Sequence, residues 1–369
     1  MGFQSGCNSL CVTVLNFFHL VNVRWFNATA WYAINLGESQ NNAGHNVLIG
    51  AINNTSLVKI SKAKGLRTFE APFNTANPLG LINVILKAEK VLRNFSPQVI
   101  NCHRGELFWY FAIRKLFNKK HILIRFRGDI RKPNGNLLNR LIHRHCADLI
   151  IVSANFIKDY FVRDLGINKN KVIVLYGGVD TDFFKPDEQE RRKTREELGL
   201  IDSNFLVGIV GRFDPVKGHK TLIEAISYLY YEKRIENIRL VIAGYDSVIR
   251  KDDIKRYVEI NKISTITHFF DFREDINNIY RACDLIAVPS ISSEAICRVA
   301  MEAMATGVPV IGADTGVLPE ILPDENIFCK NNVKDLSNKI INHSKNLTLF
   351  PMDIFFKKYM EYVEKLLNL

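Results

Sequence analysis

At 369 residues the chain is long for one hydrophobic core and ample for two, and 47% apolar with 24% charged residues are the proportions of a globular protein, not of a disordered or fibrous one. No run of 18 apolar residues argues for a membrane-spanning helix, and neither a disulfide framework nor a zinc site is expected from seven scattered cysteines (Cys7, Cys11, Cys102, Cys146, Cys283, Cys297, Cys329) without a C-x-x-C. The formal net charge of +11 is uneven, with 23 Lys+Arg against 9 Asp+Glu in residues 1–180 and 26 against 29 in the rest, so an anionic partner is expected for the basic half.

In chain order, short β-branched or apolar runs predict strands at 10–15, 46–51, 98–102, 122–126, 148–153 and 171–175. They recur at 206–210, 240–243, 267–270, 285–289 and 308–311, and amphipathic stretches at 79–94, 140–145, 219–232 and 276–283 predict intervening helices. The opening MGFQSGCNSLCVTVLNFF has no basic n-region, which favours a first strand over a signal peptide, and the scattered cysteines fit a reducing cytosol. Strand–helix alternation implies an α/β protein with doubly wound parallel sheets. A break is expected near 184–195, where Lys185-Pro186 precedes the charged run DEQERRKTREE. The expected organisation is a domain over 1–184, a second over 185–350, and a C-terminal helix in 351–369 that packs back on the first. Ligands of such sheets bind beyond the carboxyl ends of the strands.

Chemistry-bearing residues fall at those ends. Residues 207–218 read VGIVGRFDPVKG. A strand gives way at Gly211 to a loop carrying Arg212 and Lys217, two cations suited to a diphosphate. Its spacing is neither that of a P-loop nor that of a dinucleotide fingerprint. Residues 290–320 read SISSEAICRVAMEAMATGVPVIGADTGVLPE. A small-residue loop carries Glu294 into a helix of about ten residues, on which Glu302 lies offset by about 80° and about 12 Å along the axis. That pair is too far apart for a carboxylate dyad but suits the two ends of an extended ligand, with phosphates at the helix N-terminus. Asp180-Thr-Asp182 has the pattern of a divalent-metal site, but between Gly177-Gly178 and Phe183 it is better read as a turn cap.

The E-x7-E pair, the G-R-x4-K-G loop, the phrase EAMATGVPVIGAD…PE and the segment YGGVDTDFFKP at 176–186 together resemble the donor-binding signature of retaining glycosyltransferase family 4. The resemblance implies the GT-B architecture, two facing Rossmann-like domains. It also implies a UDP-, GDP- or ADP-linked sugar held by the second domain, an acceptor held mainly by the first, and retention without a metal or other cofactor. On the matching positions it places Arg212 and Lys217 on the diphosphate, Glu294 on the sugar and Glu302 on the ribose. Gly316 and Val317 would approach sugar and phosphate, and Phe272-Arg273 the base. The sequence departs from the family where a Gly-Gly loop often follows the first strand, here NFFHLVNVRW, with Arg24 as the substitute. It departs again after the strand at 122–126, where Arg127 and Arg131 replace a histidine and suit an anionic acceptor. His103 is a further acceptor-side candidate, and Cys297, where glycine is commoner, is read as packing. The acceptor is expected to be an anionic or lipid-linked cell-envelope glycan, and the enzyme cytoplasmic with peripheral contact to the anionic inner face of a membrane. A basic nucleic-acid-binding protein leaves the E-x7-E segment without a role, so no nucleic acid is expected. A sugar-nucleotide epimerase or a phosphorylase is the alternative among enzymes.

Overall fold

The computed structural model describes residues 13–24, 26–75, 77–105, 107–292, 294–343 and 352–367. Cys7, Cys11, the first part of the strand expected at 10–15 and part of the expected C-terminal segment lie outside them. The first sheet contains β1 (Asn16–Val21), β2 (Asn46–Ala51), β3 (Arg67–Glu70), β4 (Val99–Cys102), β5 (Ile122–Arg127), β6 (Leu149–Val152) and β7 (Val172–Val174), in the order β3-β2-β1-β4-β5-β6-β7. The second contains β8 (Phe205–Val210), β9 (Ile238–Ala243), β10 (Thr267–Phe270), β11 (Leu285–Val288), β12 (Val310–Ala313) and β13 (Ile327–Phe328), in the order β10-β9-β8-β11-β12-β13. Every pairing in the second sheet is parallel, as are the β3-β2-β1-β4-β5 pairings of the first. Each sheet reverses its strand order once, between β1 and β4 and between β8 and β11. In open α/β sheets such switch points are where ligands bind.

Three sequence expectations are corrected. Among the described residues the first strand begins at Asn16, beyond the described part of the run expected at 10–15; Asn16 and His19 interrupt an apolar pattern that continues to Val21 in a wholly buried strand interior. The last long strand begins at Val310, two residues later than expected. Two edge strands escaped notice, β3 because RTFE is half-exposed and polar and β13 because it has two residues.

The charged run at 187–197 is not a linker but an anchored helix, Glu188–Glu197, whose N-cap Asp187 accepts from the Gln189 and Glu190 amides. Arg191 Nη2 lies 2.5 Å from Asp284 Oδ1, and Arg195 Nη1 lies 3.1 Å from Asp284 Oδ2. Arg195 also donates to the carbonyls of Ala282 and Asn204, and Asp284 accepts the Leu206 amide at the start of β8. One carboxylate thus ties helix and sheet together.

By internal contacts, the described residues up to Phe126, those of 141–150 and those from Val363 on form one compact unit; those of 127–140 and 151–362 form the other. Within the first unit Glu364 faces His45, and its charge opposes the burial that lowers that histidine's pKa. No helix among the described residues is long and apolar enough to cross a membrane.

Removing Asp284 leaves the mostly buried Arg195 without its counter-charge, and breaking such a pair costs about 3–5 kcal/mol. Asp284→Ala is therefore expected to lower the chemical-denaturation stability of the second unit by that order, with Asp284→Asn intermediate; an unchanged midpoint would remove the anchor from the account.

Candidate active site

The loop after β8 is shaped by Asp214. Its Oδ1 accepts the Val216 amide at 3.1 Å to cap the turn Pro215–Lys217, and its Oδ2 holds Arg212 Nη2 at 3.0 Å. Gly218 follows in the left-handed region (φ 71°), where a Cβ would lie 1.9 Å from the Pro289 carbonyl oxygen. Only glycine lets this loop seat against the end of β11. The Ile291 amide then donates to the Val216 carbonyl at 2.9 Å and stitches the two loops together.

That seat brings Lys217 Nζ to 2.5 Å from Glu294 Oε1, which also accepts from Ser290 Oγ at 2.6 Å. The Glu294 carbonyl oxygen accepts the Val317 amide at 2.8 Å. Gly316 has φ 60°, and a Cβ on it would lie 1.9 Å from that same carbonyl oxygen. The loops after β8, β11 and β12 therefore meet on one buried glutamate. Burial works against the Lys217 ammonium, but the Glu294 carboxylate outweighs it and the pKa is raised. Lys217 is a fixed cation.

Glu302 is also buried; it accepts from Tyr280 Oη at 2.9 Å and from Arg298 Nη2 at 2.5 Å. The helix carrying it runs Arg298–Ala305, so Glu294 precedes it on a loop and the offset projected along a common helix does not apply. The cause is Cys297, in the left-handed region at φ 52°, which delays the helix start to Arg298. Cys297 is packing: burial raises its thiol pKa well above the ordinary range. The Val317 amide is already engaged by Glu294, so its part is to position that residue. Asp180 Oδ1 accepts the Asp182 and Phe183 amides at 3.0 and 3.1 Å, a turn cap. After β10, Phe272 is exposed and meets Tyr245 edge-on with ring centroids 6.3 Å apart, while Arg273 is paired with Asp275 at 2.5 Å.

At the switch point of the first sheet, the loops after β1, β3 and β4 line a cavity of about 440 Å³ with Asn22, Arg24, Asn27, Asn74, Thr75 and Arg104. No carboxylate lines it among the described residues. His103, the neighbour of Arg104, faces the interior instead, with its Nε2 at 3.0 Å from His19 Nδ1 and its ring stacked on Phe126. His19 Nε2 lies 2.7 Å from Gln40 Oε1. Arg127 and Arg131 are self-engaged: Arg127 Nη2 donates to the Arg131 carbonyl at 2.5 Å, and Arg131 pairs with Asp129.

The model for glycosyl transferases group 1 matches residues 190–348, and that for glycosyltransferase family 4 matches 29–183. The chain belongs to the group 1 glycosyltransferases. The D-inositol 3-phosphate glycosyltransferase of Mycolicibacterium smegmatis is 33% identical over 183 residues, 48% of this chain and 40% of that protein. That of Corynebacterium glutamicum is 31% identical over 178 residues, 47% and 42% of the two chains. The chain thus spans less than half the length of these relatives. A glycosyltransferase structure from Rickettsia africae superposes with a TM-score of 0.83 at 17% identity, covering 96% of this chain and 99% of that one. Anabaena HepE in complex with UDP and glucose superposes with a TM-score of 0.77 at 19% identity, covering 95% and 100%. These neighbours show the GT-B fold, in agreement with the two parallel sheets.

Sequence reasoning did not find Ser290, Tyr280, Arg298 or His219 at this site. Arg298 was legible as the i,i+4 partner of Glu302, whereas Ser290 and Tyr280 reach the glutamates only through the packing of loops and helices. His219 is buried with neither ring nitrogen hydrogen-bonded among the described residues, and burial, reinforced by Lys217, lowers its pKa to about 4.

Burial likewise lowers the pKa of His19 to about 4, against the opposing hydrogen bond to Gln40. Between that value and about 6.5 the unfolded chain binds a proton that the folded chain refuses, so stability rises with pH across this window, by about 1.4 kcal/mol per unit per histidine. Urea midpoints are expected to fall between about pH 7 and pH 5, with a slope shallower by about one proton in His19→Gln. Equal slopes in the two proteins would show that His19 does not titrate this way.

Proposed function

We propose that the chain transfers a sugar from a nucleotide-sugar donor to an acceptor, with residues 185–350 holding the donor and 1–184 the acceptor. The observation that carries the reading is the meeting of three strand-end loops on Glu294 and Lys217 at the switch point of the second sheet. Arg212 stands on the same loop as Lys217. Breaking the anomeric C–O bond leaves the electron pair on the departing diphosphate and positive charge on the sugar ring. Lys217 is already oriented by Glu294 before any ligand arrives, so its charge offsets the diphosphate without reorganisation. Glu294 faces the sugar, and Glu302, held by Tyr280 and Arg298, takes the ribose hydroxyls. Retention follows if the acceptor hydroxyl attacks the face the diphosphate leaves and gives its proton to the departing phosphate oxygen. The cationic pair, with Asp180 read as a turn cap, makes the reaction independent of metal.

The acceptor reading rests on the first-sheet cavity. Arg24 and Arg104 supply charge for a phosphate or carboxylate, and Asn22, Asn27 and Asn74 supply hydrogen-bonding groups for hydroxyls. The names of the relatives specify a phosphorylated polyol, which is chemistry of the same kind. A cell-envelope glycan or lipid-linked acceptor, met by a cytoplasmic enzyme at an anionic membrane face, fits this cavity and the basic half of the chain.

Calorimetric titration with UDP, GDP and ADP tests the donor side first, and no binding of any of them would overturn it. With the donor known, Glu294→Gln is expected to lower kcat by about 30- to 1000-fold, the loss of about 2–4 kcal/mol of charged hydrogen bonding that strengthens as the ring becomes cationic. Glu302→Gln is expected mainly to raise the donor KM, since a ribose contact is made equally in ground and transition states. The opposite split would exchange the two roles.

Transfer measured in excess EDTA should match the untreated rate. Complete loss restored by manganese or magnesium would return Asp180 and Asp182 to the status of metal ligands.

A further inference from the structure

Two neighbouring helices of the first unit leave large apolar side chains in the open. On Pro78–Asn94 these are Leu79, Ile82 and Leu86; on Phe108–Phe117 they are Trp109, Ile113, Leu116 and Phe117. The spacings of three and four residues gather each set into one stripe; the first lies opposite the buried Val84, Ala88 and Val91, and the second runs beside the buried Phe108, Tyr110, Phe111 and Ala112. Glu89 locks the helices side by side by accepting from Tyr110 Oη and, at 2.6 Å, from Arg114 Nε. Stray exposed leucines need no explanation, but a continuous two-helix patch does.

The charge around the patch identifies its occupant. Lys87, Lys90 and Arg93 flank the first stripe, and Lys119 and Lys120 follow the second. Glu89 is the one acid in either helix, and Arg114 already pairs with it. A second copy docked face to face would set these cations against their own images, whereas an anionic bilayer complements them. Trp109 and Phe117 are also residue types that suit the boundary between head groups and acyl chains. The cavity with Arg24 and Arg104 lies at the amino ends of the same helices, since Phe73, Asn74 and Thr75 lead into the first and Arg104 into the second.

We propose that this two-helix face docks on an anionic lipid bilayer, with its apolar stripes in the interface and its cations among the head groups. Docking in this way sets the cavity beside the membrane surface, where an acceptor with an anionic head group and a lipid tail is presented. The siting of the acceptor rests on the function proposed above; the docking itself does not.

Vesicle flotation of the full chain tests it, comparing phosphatidylcholine alone with a mixture of three parts phosphatidylcholine to one part phosphatidylglycerol. The wild type is expected to float with the mixed vesicles and to be released by salt. Leu86→Ser/Phe117→Ser and Lys119→Glu/Lys120→Glu, both at exposed positions, are each expected to lower its partition about tenfold or more. Thermal melting and nucleotide titration of each variant should match the wild type, which keeps a failure of docking distinct from a failure of the donor site. Undiminished flotation of both variants, a wild type that stays with the unbound fraction, or a solution dimer that Phe117→Ser dissociates would overturn the proposal.

Discussion

Glu294 is the point on which the second sheet's chemistry depends. Its carboxylate holds Lys217 and accepts from Ser290, and its carbonyl oxygen accepts the Val317 amide. A buried ion pair of this kind does not stabilise the fold cheaply, because desolvating two charges consumes most of their attraction. Its use is positional. The glutamate makes an ammonium stand permanently charged at the end of a parallel sheet.

Two glycines make that pair achievable. Gly218 removes a Cβ that would overlap the Pro289 carbonyl, and Gly316 removes one that would overlap the carbonyl of Glu294 itself. Both take left-handed backbone conformations that other residues adopt at a cost of about 1–2 kcal/mol before any clash is counted. The strand ends are therefore spaced by backbone packing, and the charged side chains inherit that spacing.

The two switch points of the molecule are built differently. In the second sheet the charges are mutually paired around two buried carboxylates, Glu294 with Lys217 and Glu302 with Arg298. In the first sheet burial keeps His19 and His103 unprotonated, and the buried Arg125 beside them donates to the backbone carbonyls of Cys102 and Phe126. Arginines stand at the rim of the cavity with asparagines between them. On the function proposed above, an acceptor met in this way would be recognised by its overall charge and its hydroxyls.

Much of this was determined by the sequence alone. Alternation of apolar runs and amphipathic stretches located most of the strands, because a buried parallel strand admits few polar residues, and Arg212, Lys217, Glu294 and Glu302 stood out from spacing and resemblance. What tertiary structure decided were relations that no local pattern carries. His19 sits in a strand because His103 and Gln40 satisfy its buried imidazole, and Asn16 because Gln98, the Phe95 carbonyl and Asn46 take up its polar groups. The run at 187–197 is a helix held in place because Asp284, nearly a hundred residues away, receives its arginines. Cys297 adopts a left-handed turn that moves Glu294 off the helix, and Arg127 and Arg131 bind their own neighbours. The physical reason is common to all of these. Periodicity reports whether a side chain faces the core, whereas partner and direction are set when loops distant in sequence meet at the ends of a sheet.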